Sequence, residues 1–364
     1  MQTSWHNNSF LHLDYLLLSG LLLLFAIGLA TLYSAGGQNL DLIFRQVLRF
    51  LVGLGILLLL AQIRTQKIIG FVPWIYMFGI LLLLLVLIIG ESTNGSQRWI
   101  NLGIFRFQPS EIMKLAVPMM VTWYLTSKPL PPTYGRLLGS LAIIFIPVLL
   151  IIKQPDLGTS LLIASSGIFV LLLAGLSWKI VFGFLTSIVL AAPGLWTLLH
   201  EYQRDRIRTF LNPETDPLGD GYHIIQSKIA IGSGGFSGKG WLNGTQSHLQ
   251  FLPERSTDFI FAVYSEELGL LGVLVLLTIY FLVLSRGMYI ALKAQDSFSR
   301  LLAGSLTLTF FVYIFVNMSM VSGLLPVVGL PLPLISYGGT SLVTLMAGFG
   351  LIMAIHTHRR LLSN

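Results

Sequence analysis

QSHLQFLPERSTDFIFAVYSEELG, Gln246 to Gly269, passes from a polar loop into an apolar run with no spacer. It carries Glu254, Arg255, Asp258, Glu266 and Glu267, and Asp258 stands directly before Phe259-Ile260-Phe261-Ala262-Val263. If that run enters a bilayer, Asp258 lies at the edge of hydrocarbon. An ionisable group is disfavoured there and is a functional candidate by default. The competing reading is structural: Asp258, with Thr257, caps the helix that follows.

The rest of the chain makes the bilayer reading the working one. Of 364 residues, 54% are hydrophobic and 10% charged, and the mean hydropathy is +0.80. A soluble domain of this size cannot hide so much apolar surface, so the expected class is an all-α polytopic membrane protein. Ten apolar spans are predicted, near 14–34, 46–63, 70–90, 109–126, 137–152, 159–175, 178–198, 261–285, 300–321 and 338–356. They form a single integral membrane domain over 1–364. An even count places both termini on one side. Ten Lys or Arg residues flank the spans there, from Arg64 and Lys67 to Arg359 and Arg360. Leaving out the long loop 200–257, six lie on the other side: Arg45, Arg49, Arg98, Arg106, Lys114 and Lys153. The bias predicts cytoplasmic termini. No basic run is dense enough for nucleic acid. With no cysteine there is no disulfide, thiol nucleophile or thiolate metal site.

The outer face then holds the informative loops. Residues 200–257 form a large extracytoplasmic loop between the seventh and eighth spans, too long for a simple connector. Within it, Ile224, Ile225 and Ile229 predict a short amphipathic helix over 222–231 at the membrane surface. Gly232, Gly234, Gly235, Gly238 and Gly240 predict a mobile turn. Glu111 and Lys114 share one helix face after Pro109 and must face protein or water, either as a structural pair or as a cavity wall. Lys153 and Asp156 crowd a tight link between two spans, as interface anchors or as site residues. Arg98, Arg106, Arg204, Arg206, Arg208, Lys239 and Arg255 form a basic set, read either as a solvated face or as a surface for phosphates. Ser322–Thr340, SGLLPVVGLPLPLISYGGT, is apolar, uncharged and rich in Gly and Pro, which predicts a broken or re-entrant segment lining a cavity. His223 and His248 are lone loop residues. No HExxH, GxSxG or phosphate-loop motif is present.

Four segments resemble the SEDS family, which includes RodA, FtsW and SpoVE: QRWINLGIFRFQPSEIMKLA (97–116), KQPDLGTS (153–160), GTQSHLQFLPERSTDFIFAVYSEELG (244–269) and PLISYGGTS (333–341). The likeness spans nearly the whole chain in the family's order, and the RodA branch fits best. It implies a ten-helix SEDS fold and a peptidoglycan glycosyltransferase that polymerises lipid II for cell elongation and rod shape. It places the chain in the bacterial cytoplasmic (inner) membrane, with a class B penicillin-binding protein and the elongation machinery as partners. The family's essential aspartate falls on Asp258, its PSExxK pair on Glu111 and Lys114, and its QRW arginine on Arg98. Many members carry His where this chain has Ser256, which favours Asp258 as the base.

The expected reaction is inverting. A glycan on undecaprenyl pyrophosphate is the donor and lipid II the acceptor. Asp258 takes the acceptor's proton, Arg98 and Lys114 stabilise the leaving pyrophosphate, and Arg204, Arg208 and Lys239 are weaker candidates for that role. Glu111 orients Lys114. A divalent cation, Mg or Mn, could bridge pyrophosphate to Asp258 or Glu111, although no closed metal site is legible. Lipid tails are expected beside the fourth, eighth and ninth spans. The alternative class is a lipid II transporter or flippase, which would need charged groups near the midplane reachable from both sides. A non-catalytic scaffold is a third.

Overall fold

In the computed structural model, residues 12–93, 96–101, 106–177, 179–183, 186, 190–191, 194, 201–215, 219–245 and 254–358 are described. Among the described residues nine long helices carry the chain back and forth: α1 (Tyr15–Ala35), α2 (Leu40–Ala61), α3 (Thr65–Ile89), α4 (Ser110–Thr126), α5 (Tyr134–Ile152), α6 (Leu157–Leu173), then, after the loop helices α7 (Glu201–Leu211) and α8 (Asp220–Gly234), α9 (Ile260–Leu292), α10 (Ser297–Val321) and α11 (Thr340–Thr357). Seven are long and apolar enough to cross a membrane, and Leu157–Leu173 is a shorter apolar helix. Most of the expected seventh span, 178–198, lies outside the described residues. The bundle is an all-α membrane architecture, as the composition requires.

The helices alternate in direction, so one end of the bundle, here the terminal face, holds Tyr15, Ala61, Thr65 and Thr357. The other, the loop face, holds Ala35, Leu40, Ser110, Leu157 and Thr340. Span boundaries shift in one informative place. The second span begins at Leu40 rather than 46, because the Asn39 side chain accepts from the Asp41 and Leu42 N–H groups and starts the helix early. Arg45, read as a loop residue, is therefore inside α2. The all-α expectation also misses a small antiparallel sheet on the loop face: β1 (Glu91–Thr93), β2 (Ser96–Asn101) and β3 (Arg106–Phe107), in the order β1-β2-β3.

The terminal face is tied by one buried carboxylate. Asp14 caps α1 by accepting from Leu17 N–H at 2.9 Å. It also binds Arg286 of α9 through Oδ2 at 2.7 Å and lies 2.9 Å from His356 Nδ1 of α11. Burial alone would raise the Asp14 carboxyl. The bonds to His356, Arg286 and Leu17 outweigh it and hold the acid well below the usual carboxylate range. A depressed acid contributes stability above its unfolded value and loses it as pH falls through the folded value. Asp14→Asn should therefore melt below wild type at pH 7, and the gap should narrow only below about pH 4. Melting curves across pH check this; a gap that is constant from pH 3 to 7 refutes it.

At the loop face α9 is broken at Gly269, with φ 62° and ψ −162°, a backbone region open essentially to glycine. The preceding turns, Ile260 to Glu267, are buried in the protein. The glycines at 232–240, expected to be mobile, are clasped to this kink. Lys239 N–H donates to Glu266 O at 3.0 Å, Gly240 N–H to Glu267 O at 2.9 Å, Leu270 N–H to Gly235 O at 3.0 Å and Leu271 N–H to Phe236 O at 3.1 Å. The reason is steric: a Cβ on Gly269 would sit 2.3 Å from Gly238 N, and one on Gly238 only 2.1 Å from Glu267 O. Gly269→Ala should destabilise by more than the ~1–3 kcal/mol of its backbone strain alone. Thermal unfolding in detergent reads this, and a neutral change would refute the clasp. The loop helix α8 is also less exposed than expected. Ile224, Ser227 and Ala230 face protein, and the Ser227 hydroxyl donates to Val321 O at 2.7 Å.

Residues 322–339 form no helix and turn back into the bundle. Gly28 of α1 admits this segment: a Cβ there would lie 2.5 Å from Leu334 O. Gly28 is seven residues below Ala35, about 10 Å at helical rise. Backbone groups at such depth need partners, and side chains supply them. Tyr280 OH donates to Pro333 O at 2.7 Å, Asn317 Nδ2 to Leu330 O at 2.7 Å and Gln46 Nε2 to Ser336 O at 3.2 Å. The re-entrant expectation for this segment holds.

Candidate active site

Asp258 sits on a shelf built from that re-entrant segment. The turn 254–259 is bonded to it twice: Tyr337 N–H donates to Ser256 O at 2.8 Å, and the Ser336 hydroxyl to Thr257 O at 2.6 Å. Asn317 Nδ2 donates to Asp258 O at 2.9 Å. The Asp258 carboxylate lies against Gly329, where a Cβ would come within 3.5 Å of Oδ2. The cap reading fares worse. The N-cap of α9 is Phe259, and no side chain caps it. The structure therefore holds the backbone of Asp258 rigidly and leaves its side chain half-buried at the loop face.

Beside this shelf lies the link between α5 and α6. A Cβ on Gly158 would meet Val328 O at 2.7 Å, so this link touches the residue before Gly329. Asp156, buried, caps α6 by accepting from Thr159 N–H at 3.1 Å. Its other oxygen accepts from Gln108 Nε2 at 3.1 Å and lies 3.7 Å from Arg98 Nε. Arg98 also donates to Pro155 O at 2.5 Å. Thus β2, the start of α4 and the start of α6 meet around one carboxylate.

One turn into α4, Glu111 and Lys114 make the pair their spacing predicts, at 2.7 Å, and both are buried, with 3% and 6% exposure. The ammonium also lies 5.3 Å from the centre of the Tyr313 ring on α10, one turn below Asn317. Glu111 Oε1 takes the lysine. Oε2 is buried with no hydrogen-bond partner, and Glu111 lines a large cavity. Lys114 is not among the residues that line it, so of the pair only Glu111 borders the cavity.

The cavity is a cleft of about 2070 Å³. It exists because α2 packs on α1 and α11 while α3 packs on α4, so that two consecutive helices diverge from their short join. Trp99 and Phe107 roof it at the loop face, and Ile112, Leu115 and Met119 of α4 form its floor. Of the fourth, eighth and ninth spans, only the fourth, α4, lines this cleft, which belongs chiefly to α2, α3, α4 and α11. Arg49 also lines it, its guanidinium 4.5 Å from the centre of the Tyr337 ring and with no carboxylate partner among the described residues. Arg49 already fell inside the expected span 46–63 but was counted only as an outer-side charge, because nothing in the sequence shows that Tyr337, 288 residues away, packs against it.

The remaining candidates divide. Lys153 is exposed at the end of α5. Lys239 is committed to buried Glu266 at 2.7 Å, a carboxylate that also accepts from Thr245 N–H at 2.9 Å. Arg204 pairs with Glu201 at 3.1 Å and Arg208 with Asp205 at 3.0 Å, both within exposed α7, which fits a solvated charged face. The side chains of Arg106 and Arg206, residues 246–253 and with them His248 lie outside the described residues. His223 is not a loose loop residue: its ring lies 5.7 Å from that of Phe259. Among the described residues no group of three or more His, Asp or Glu is placed to hold a metal ion.

Residues 7–361 match the FtsW/RodA/SpoVE family model, described as cell cycle protein. The chain is 53% identical to the peptidoglycan glycosyltransferase MrdB of Escherichia coli K12, over 97% of this chain and 95% of that protein. It is 41% identical to a probable peptidoglycan glycosyltransferase FtsW of Trichlorobacter lovleyi, over 78% and 75% of the two chains. Its fold matches a chain of a peptidoglycan synthase complex that coordinates polymerization and crosslinking, with TM-score 0.83, 33% identity, and 96% and 99% coverage. It also matches the rod shape determining protein RodA of Thermus thermophilus, with TM-score 0.72, 28% identity, and 96% and 98% coverage. The chain is a multi-helix membrane protein that belongs to the FtsW/RodA/SpoVE family.

Proposed function

We propose that this protein is a peptidoglycan glycosyltransferase that joins lipid II units into glycan strands at the outer face of the bacterial cytoplasmic membrane. The observation that carries the reading is one arrangement. A half-buried carboxylate, Asp258, is held on a rigid shelf at the loop face, beside an apolar cleft wide enough for a lipid tail. Chemistry on a sugar needs the first, and a polyprenyl substrate needs the second. The loop face is then extracytoplasmic, and the terminal face, with both chain ends, cytoplasmic.

The reaction follows from the groups present. The acceptor's 4-hydroxyl gives its proton to Asp258, and its oxygen forms the new bond to the donor's anomeric carbon. The bond from that carbon to the pyrophosphate breaks on the opposite face, and the electron pair leaves with the pyrophosphate oxygen. Pyrophosphate leaves readily, so the demand is for positive charge at the departing oxygens. Arg98, held by Asp156 and Pro155, and Arg49, stacked on Tyr337, are the cations best disposed to meet it. Lys114 acts one step back by holding Glu111, which lines the cleft. No step depends on a metal ion. The partner in this reading is a class B penicillin-binding protein that cross-links the strands.

The test is polymerisation of purified lipid II by the protein with its cognate class B partner, read as glycan ladders on a gel. Ladders support the reading; their absence in a preparation where the partner binds overturns it. One observation favours a second reading, lipid II transport. The cleft runs on from Arg49, about 14 Å below Leu40, to Arg64 and Lys67 at the other face. Transport of labelled lipid II across proteoliposomes, without polymer, would favour it.

A further inference from the structure

The cleft ends at the terminal face, and that end is basic. Its closed corner is the join of α2 and α3, where Gln62, Arg64 and Lys67 line it. Both cations are exposed, and neither has a carboxylate partner among the described residues. Gln62 is fixed by His12, whose N–H donates to Gln62 Oε1 at 3.2 Å, while Gln62 Nε2 is buried with no hydrogen-bond partner among the described residues. Ile63, Ile68 and Phe71 line the cleft beside these three donors. Donors at a membrane boundary with an apolar channel rising from them suit an amphiphile: anion below, hydrocarbon above.

We propose that this end of the cleft binds an anionic glycerophospholipid of the adjoining leaflet. Its phosphate lies on Arg64, Lys67 and Gln62 Nε2, and one acyl chain rises between α2 and α3. Charge selects the headgroup: a zwitterionic lipid would set its ammonium beside two cations with no carboxylate to receive it. The cleft selects a lipid over free phosphate, which gains none of the apolar burial. Because both ends belong to one cavity, the bound acyl chain also limits how far a polyprenyl tail can descend from the loop face. The inference needs the cleft to open to lipid and does not need the polymerase reading.

Native mass spectrometry of the full chain in detergent tests it, with phosphatidylglycerol, phosphatidylcholine and inorganic phosphate as probes. Phosphatidylglycerol should bind about tenfold or more tightly than phosphatidylcholine, since each cation near an anionic surface contributes a factor of roughly five. R64Q/K67Q should lose that preference, R64K/K67R should keep it, and excess inorganic phosphate should not displace the lipid. If the neutral pair does not fold, wild type decides: the preference must weaken as salt rises. Asp258→Asn should keep the preference, so loss of polymerisation there speaks only to the proposed function. Equal binding of the two lipids, a preference that survives R64Q/K67Q or is insensitive to salt, or displacement by inorganic phosphate overturns the proposal.

Discussion

Asp258→Asn abolishes glycan polymerisation while leaving the fold intact. The substitution keeps the shape and removes the proton acceptor. Backbone contacts hold this turn in place: Asn317 bonds the Asp258 carbonyl, and Tyr337 and Ser336 bond the carbonyls of Ser256 and Thr257. A general base contributes about 10²–10⁴ in rate, so activity should fall by at least about a hundredfold. Lipid II polymerisation with the class B partner reads the loss, and a melting curve matching wild type shows that the shelf survives. Full-length ladders from the variant would remove Asp258 from the mechanism.

The second large effect is on stability. Glu111→Gln strands the Lys114 ammonium, 6% exposed, with only the Tyr313 ring beside it. Removing one partner of a buried ion pair costs about 3–5 kcal/mol, because the other charge stays desolvated. Replacing both by uncharged residues of similar volume is often neutral. Glu111→Gln should therefore melt far below wild type, and Glu111→Gln with Lys114→Met should recover most of the loss. Activity need not follow stability: the double variant has no carboxylate facing the cleft and should still polymerise poorly. A double variant no more stable than the single one would show that the pair's burial is not the source of the cost.

The helices and the pair at 111 and 114 were readable because both depend on local periodicity. Apolar runs of membrane length must become helices, since only a helix satisfies its own backbone in hydrocarbon. Residues three apart share a helix face whatever the helix packs against. Boundaries were less legible where a cap outranked hydropathy: Asn39 starts α2 inside a polar stretch, and the missed turn put Arg45 outside the helix. The sheet at 91–107 was illegible for a related reason, since its strands are short and gain their pairing only from one another.

The sequence by itself determined the class of molecule, the re-entrant character of Ser322–Thr340 and, through family resemblance, the candidate base. Only the tertiary structure decided what each charge faces. Lys239, Arg204 and Arg208 look like free phosphate ligands in one dimension, yet each has a carboxylate beside it in three. Lys114 turns into protein while Glu111 turns to the cleft, because α10 brings Tyr313 against one side of α4 and the divergence of α2 from α3 leaves the other side open. Burial, pairing and cavity shape come from elements far apart in the chain, and a sequence pattern records only neighbours a few residues away.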